Sequence, residues 1–224
     1  MADARDGRDT IKAAQVGPDL LRADDPDTVR VAVQALVAGG IVGVPTETVY
    51  GVAVLPRPEP LHALLAAKQR PFDKGIPLLL DGLDQVADLL SIGPAATRLA
   101  ERFWPGPLTL AIPLRHPDSV PEELTGGRSS LAVRIPDHPV PRALARELGP
   151  LAVTSANLSG EPEARTASEL VATLGASLAV VIDDGPVRGG APSSVVAVAA
   201  DGRIEVLREG AISRLELEAA LSED

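Results

Sequence analysis

Apolar residues recur along this chain at two spacings, and the alternation between them predicts the order of elements. Val29, Val33, Leu36 and Val37 fall on one face of a helix that Gly39-Gly40 ends. Asp25-Pro26 precedes them and predicts an N-cap with Pro at the first helical position. Residues 41–44 are a short apolar run, predicted as a buried strand that delivers Pro45-Thr46-Glu47-Thr48 at its end. Residues 59–67 return to helical spacing with Leu61, Leu64 and Leu65, and Lys68 stands at the C-terminal end. Residues 76–80 predict a strand, and residues 81–90 and 94–103 predict helices.

In the second half, Trp104-Pro105-Gly106-Pro107 is a rigid turn before a strand over 108–114. A strand over 131–135, a helix over 139–148 and a strand over 151–154 follow, the last ending in Ser155-Ala156-Asn157. Thr166 or Ser168 caps a helix running to Leu174. Strands over 178–182, 195–199 and 204–207 and a helix over 212–221 close the chain. Strands and helices mix without strict alternation. This predicts an α/β fold: a single domain with a twisted, mixed parallel and antiparallel sheet flanked by helices, and an open cleft. Residues 1–17 read as a polar N-terminal tail and residues 18–224 as the folded domain.

Composition narrows the function. With no cysteine, disulfides, thiolate catalysis and Cys-based zinc sites are excluded, which fits a cytoplasmic location. The first ten residues have no apolar stretch and do not read as a secretory signal, and no apolar run approaches the ~20 residues of a membrane span. Net charge is −10, whereas nucleic-acid binding by a general field needs a basic protein, so any tRNA contact is expected to be weak and local. Tyr50, Phe72, Phe103 and Trp104 are the whole aromatic complement, too few for a stacking platform.

Against this acidic background, the positions of the lysines stand out. Only three occur, Lys12, Lys68 and Lys74, and two of them share the run Lys68-Gln69-Arg70-Pro71-Phe72-Asp73-Lys74. Lysine is a compact point charge suited to phosphate, and Arg70 adds a planar fork. Pro71 stops the helix, so these cations project from a rigid corner; the same charges at a helix C-terminus would also simply stabilise the helix. No Walker or dinucleotide glycine motif is present, so side-chain cations must do the work of a glycine loop. Ser155 and Asn157 follow an apolar strand, where open α/β sheets bind ligands, although a plain turn accounts for them equally. Arg134 lies inside a predicted strand and suits a carboxylate if it faces a cleft. Ser193-Ser194 and Arg208 read the same way. His62, His116 and His138 lack metal-ligand spacing, so no metal site is expected.

Over about residues 19–210 these blocks resemble the YrdC family, the L-threonylcarbamoyladenylate synthases. The resemblance rests on Pro45-Thr46-Glu47-Thr48-Val49-Tyr50-Gly51, Lys68-Gln69-Arg70-Pro71, Trp104-Pro105-Gly106-Pro107-Leu108-Thr109, Ala132-Val133-Arg134-Ile135-Pro136-Asp137-His138-Pro139, Thr154-Ser155-Ala156-Asn157-Leu158-Ser159-Gly160 and Leu207-Arg208-Glu209-Gly210. It implies a nucleotidyltransferase that makes threonylcarbamoyl-adenylate and pyrophosphate from L-threonine, bicarbonate and ATP, with Mg2+ accompanying the ATP. A downstream complex would pass the threonylcarbamoyl group to a tRNA adenosine beside the anticodon. Lys68 and Arg70 would be catalytic. They would bind ATP together with Lys74, Ser130, Ser155, Asn157, Arg165 and Arg208. Thr46, Thr48, Arg134 and Ser194 would bind threonine. Lys74-Gly75-Ile76-Pro77 departs from the commoner Asn-Pro-Leu followed by a His, and the extra C-terminal domain of longer relatives is expected to be missing. A non-catalytic RNA-binding or ribosome-associated module, or a paralogue using another carbamoyl substrate, are the alternatives.

Overall fold

The computed structural model describes residues 17–222, so the expected polar tail, Gly17 apart, lies outside the described residues. Strands distant in sequence come together in one sheet. They are β1 (Asp19–Arg22), β2 (Val42–Val44), β3 (Gly51–Val54), β4 (Leu78–Leu79), β5 (Leu108–Pro113), β6 (Ser130–Arg134), β7 (Leu151–Ser155), β8 (Val180–Asp183), β9 (Ser194–Val198) and β10 (Ile204–Arg208). Their spatial order is β1-β8-β2-β3-β7-β4-β6-β5-β9-β10. Four neighbouring pairs, β1–β8, β8–β2, β4–β6 and β5–β9, are parallel and the rest antiparallel, the mixed sheet expected from the sequence.

Among the described residues, seven α-helices cover it: α1 (Thr28–Val37), α2 (Pro58–Lys68), α3 (Pro94–Phe103), α4 (Glu122–Thr125), α5 (Pro139–Leu148), α6 (Ala167–Leu174) and α7 (Arg214–Ser222). On one face Ala32 and Leu36 of α1 and Leu144 of α5 pack over Val42, Val44, Val153 and Ile182. On the other, Leu61 and Leu64 of α2, Leu99 of α3, Leu170 of α6 and Leu217 of α7 pack over Val52, Leu110, Leu131, Val181 and Val196. Each leucine buried this completely contributes about 1.5–3 kcal/mol relative to exposure. Side chains alternate across the strands, so β3, β4, β7 and β8 feed both cores.

Helix ends follow the caps readable in the sequence, with two exceptions. Thr166 caps α6, its Oγ1 accepting from Glu169 N at 3.1 Å. Pro94 and Pro139 open α3 and α5 within the first turn. Asp25 does not cap α1: its carboxylate accepts from Asp27 N at 2.8 Å, forming a local turn, and the helix begins only at Thr28. No α-helix forms over 81–90, only a 3-10 turn at Leu83–Val86. There the Gln85 side chain accepts from Asp81 N at 2.8 Å, and the Asp81 carboxylate is held by Arg142 and Arg146 of α5. Strands β1 and β3 were not expected. The second lies in the middle of the sheet, where Gly51 is required because a Cβ would come within 2.9 Å of Val153 Cγ1.

Candidate active site

The face that α1 and α5 cover continues past them uncovered, over β4, β6, β5 and β9. Leu79 and Val153 belong both to that core and to the wall of an open cavity of about 470 Å3. The wall follows strand alternation. Ser130, Ala132 and Arg134 of β6 point into it, while Leu131 and Val133 between them point into the opposite core. Thr109 and Ala111 of β5 do the same. Small residues at Gly51, Ala111 and Ala132 leave the volume, and Leu79, Val153 and Val195 make part of it apolar.

Five basic side chains line this cavity: Arg70, Lys74, Arg128, Arg134 and Arg208. Glu163 is the one carboxylate among the lining residues. The Arg70 pKa is lowered by burial first and by the charge of Arg208 second. Burial also lowers that of Arg208; Glu163 opposes the shift and Arg134 adds to it. Guanidiniums brought this close repel one another, and the arrangement is relieved by an anion. Their geometry is set by backbone carbonyls. Arg70 donates from Nε and Nη2 to Gly75 O at 3.2 and 2.7 Å. Arg208 donates to Ser193 O at 3.1 and 2.8 Å. Arg128 Nη1 donates to Asp73 O at 2.7 Å, tying the corner after α2 to the turn before β6. Lys74 is exposed, its Nζ 3.5 Å from Ser159 Oγ.

The hydroxyl-rich turn is organised by its own side chains. Thr46 Oγ1 donates to Val49 O at 2.6 Å and accepts from Thr48 N and Val49 N, both at 3.2 Å. Thr46 and Thr48 line the cavity, their hydroxyls 3.0 Å apart. Tyr50, at the end of the turn, donates to Gly185 O at 2.7 Å and accepts from Asp184 N at 3.1 Å. Its pKa is raised to about 12, chiefly by burial. Arg134 is 6% exposed and reaches back to this turn. Its Nε donates to Gly106 O at 3.0 Å, its Nη2 to Glu47 Oε1 at 2.6 Å, and both terminal nitrogens approach Thr48 Oγ1 at 3.2–3.3 Å.

Lys68 sits differently from its neighbours. It is 1% exposed and does not reach the cavity wall. Its ammonium donates to Ser155 O, to Asn157 O at 2.5 Å and to Asn157 Oδ1 at 3.2 Å. Asn157 Oδ1 also accepts from Ser155 Oγ at 2.6 Å, and Asn157 Nδ2 donates to Glu161 O at 2.6 Å. Burial and then the charge of Arg70 push the Lys68 pKa down to about 8, with Glu163 acting the other way. Lys68 therefore braces the turn that presents Ser155.

Of the residues expected at the site, Thr46, Thr48, Arg70, Lys74, Ser130, Arg134, Ser155 and Arg208 converge on one cavity. Lys68 and Asn157 stand behind its wall. Arg165 is exposed and donates to Gly189 O at 2.5 Å. Ser194 is fully buried, its Oγ accepting from Gly210 N and Ile212 N and donating to Ile212 O, so its neighbour Ser193 supplies the cavity hydroxyl. Arg128, Thr109 and Glu163 were missed. Arg128 follows a Gly-Gly turn that carries no motif, and only the sheet order brings Thr109 to the site. No group of three or more acidic, His or Cys side chains able to hold a metal occurs among the described residues.

Residues 34–210 match the family model Sua5/YciO/YrdC, described as telomere recombination. A threonylcarbamoyl-AMP synthase of Bacillus subtilis is 37% identical over 206 residues, which are 91% of this chain and 59% of that protein. One of Xanthomonas campestris is 40% identical over 180 residues, 77% of this chain and 94% of the relative. The structure of P. abyssi Sua5 complexed with L-threonine superposes with a TM-score of 0.84 at 32% identity, covering 92% of this chain and 61% of that one. The chain thus spans about three-fifths of the Bacillus and P. abyssi proteins and nearly all of the Xanthomonas one.

Proposed function

The chain belongs to the Sua5/YciO/YrdC family, and from that premise we propose that it is a threonylcarbamoyl-AMP synthase. The observation that carries the reading is the convergence of five basic side chains on one cavity in a chain of net charge −10. A triphosphate is the anion that so much local positive charge suits. The cavity's volume and partly apolar wall fit a small amino acid and a nucleotide lying together.

In this reading the threonine amine and bicarbonate give a carbamate with loss of water. A carbamate oxygen then forms a bond to the α-phosphorus of ATP as the bond to the pyrophosphate oxygen breaks. Such a transfer depends on positioning and charge neutralisation. Arg70, Lys74, Arg128 and Arg208 neutralise the triphosphate. Ser130 and Ser155 hold the nucleotide, with Asn157 and Lys68 fixing Ser155 from behind, and Arg165 stands outside the wall. Arg134 takes the threonine carboxylate, and Thr46, Thr48 and Ser193 flank the amino acid; Ser194 acts through the turn it ties. Mg2+ would accompany the ATP and add to the neutralisation of its phosphates, since no side-chain group able to hold a metal occurs among the described residues.

The product passes to a complex that transfers the threonylcarbamoyl group to tRNA, with at most weak tRNA contact here, in the cytoplasm. Among the described residues no helix is long and apolar enough to cross a membrane. Incubation with ATP, bicarbonate and single amino acids, with pyrophosphate as readout, tests the activity. Release that depends on threonine and bicarbonate is expected; release indifferent to threonine overturns it.

A further inference from the structure

Glu163 is the one acceptor-only side chain on a cavity wall whose other polar side chains are cations and hydroxyls. Its stretch of backbone is fixed. The next residue, Ala164, donates from N to Ala156 O at 3.0 Å and accepts from Tyr50 N at 2.9 Å, and Asn157 Nδ2 donates to Glu161 O at 2.6 Å. Ser155 precedes Ala156 as Glu163 precedes Ala164, so this pairing keeps the carboxylate and the Ser155 hydroxyl in one part of the wall. The nearby cations are spent elsewhere: Arg208 gives its guanidinium to Ser193 O, and Lys68 gives its ammonium to the turn at 155–157. Both still feel the carboxylate, since Glu163 counters the lowering of each one's pKa. A bare anion entering beside these cations is therefore also repelled by Glu163.

A ligand that brings hydroxyl donors offsets that repulsion. In ATP the ribose is joined through O5′ to the α-phosphate, so sugar and phosphates arrive together. Its vicinal 2′- and 3′-hydroxyls offer two donors to the two oxygens of a carboxylate. Acidic side chains take ribose hydroxyls in this way in dinucleotide-binding folds. The threonine amine is the other donor at hand, but an ammonium paired with a carboxylate is held protonated, and it must lose that proton to form a carbamate. Arg134, moreover, is anchored on Glu47 and Thr48, and it draws the amino acid to that turn. Resting on the synthase reading above, we propose that Glu163 reads the ribose, its two oxygens accepting from the 2′- and 3′-hydroxyls of ATP. It thereby selects nucleoside triphosphates over inorganic polyphosphates, the released pyrophosphate included.

The test is calorimetric binding of ATP, 2′,3′-dideoxy-ATP and inorganic tripolyphosphate to wild type and to Glu163→Ala. Wild type should prefer ATP over the dideoxy nucleotide by about tenfold or more, the worth of one charge-assisted hydrogen bond. Glu163→Ala should bind the two nucleotides within about threefold of each other, and tripolyphosphate more tightly than wild type does. Equal affinities for the two nucleotides in wild type overturn the proposal without reference to any variant. A preference that survives in Glu163→Ala overturns it too, even where every ligand gains, because Glu163 would then be only a charge in the phosphate field. Tripolyphosphate bound no more tightly by the variant overturns the selection against inorganic anions. These measurements need no threonine, so their outcome is separate from that of the synthase reading, which fails if pyrophosphate release by wild type is indifferent to threonine. Wild type that does not bind ATP loses both.

Discussion

Replacing Lys68 by Met sets two buried effects against each other. Methionine fills nearly the same volume, so packing changes little. The substitution leaves Asn157 O without its donor, whereas Asn157 Oδ1 keeps Ser155 Oγ and Ser155 O keeps Asn157 N. One orphaned buried carbonyl costs about 1–3 kcal/mol. Against that, the variant no longer buries an ammonium. Lys68 titrates at about 8 in the fold against 10.5 for a solvated lysine, so the unfolded chain binds more protons between those values. Stability from this residue is therefore lowest below pH 8 and rises with pH through the window. From pH 7 to pH 9.5 the gain is about 2 kcal/mol. The assay is urea unfolding of both proteins at the two pH values. The variant should be within about 2 kcal/mol of wild type at pH 7, and wild type should gain about 2 kcal/mol on it by pH 9.5. Stabilities that move in parallel would refute the buried, proton-losing ammonium. Pyrophosphate release should fall steeply in the variant even where it is fully folded, because Ser155 loses its brace.

Tyr50 is the only tyrosine, so absorbance at the phenolate band reports it alone; the folded protein should titrate near 12, and a midpoint at the free value of 10 would show the phenol to be exposed. Arg134→Lys should weaken threonine binding by about tenfold or more, because an ammonium cannot keep Gly106 O, Glu47 and Thr48 while also holding a carboxylate; unchanged calorimetric affinity would remove Arg134 from the subsite. Gly210→Ala should lower stability by about 1–3 kcal/mol in urea, because a Cβ there overlaps the Pro192 carbonyl oxygen across the turn that Ser194 ties; a neutral effect would show that this turn opens freely.

Local chemistry made much of the molecule legible. Residues 94–103 and 139–148 are helices with the bounds expected, since a proline sets each first turn and Trp104 or Gly149 ends it. The strand that ends in Thr154-Ser155 is visible as a β-branched, apolar run. Where side chains compete with the backbone, local reading fails. Asp25 and Gln85 tie Asp27 N and Asp81 N into local side-chain turns, and the elements there start later or shrink to a 3-10 turn. Strand β3 was illegible because Gly51-Val52-Ala53-Val54 follows a turn and is too short to show a period. Its place between β2 and β7 is fixed by long-range pairing.

The sequence alone determined that cations gather after α2, that hydroxyls gather after β2, and that the chain carries the family's motifs in order. These are properties of adjacent residues. Tertiary structure decided which of the charges meet. Sheet order brings Arg134 from β6 and Arg208 from β10 onto one open face beside Arg70, and buries Lys68 behind it with its ammonium fully engaged. A lysine looks the same in the sequence whether it faces a phosphate or a ring of carbonyls. Burial and partners separate the two roles, and both are set by elements far away along the chain.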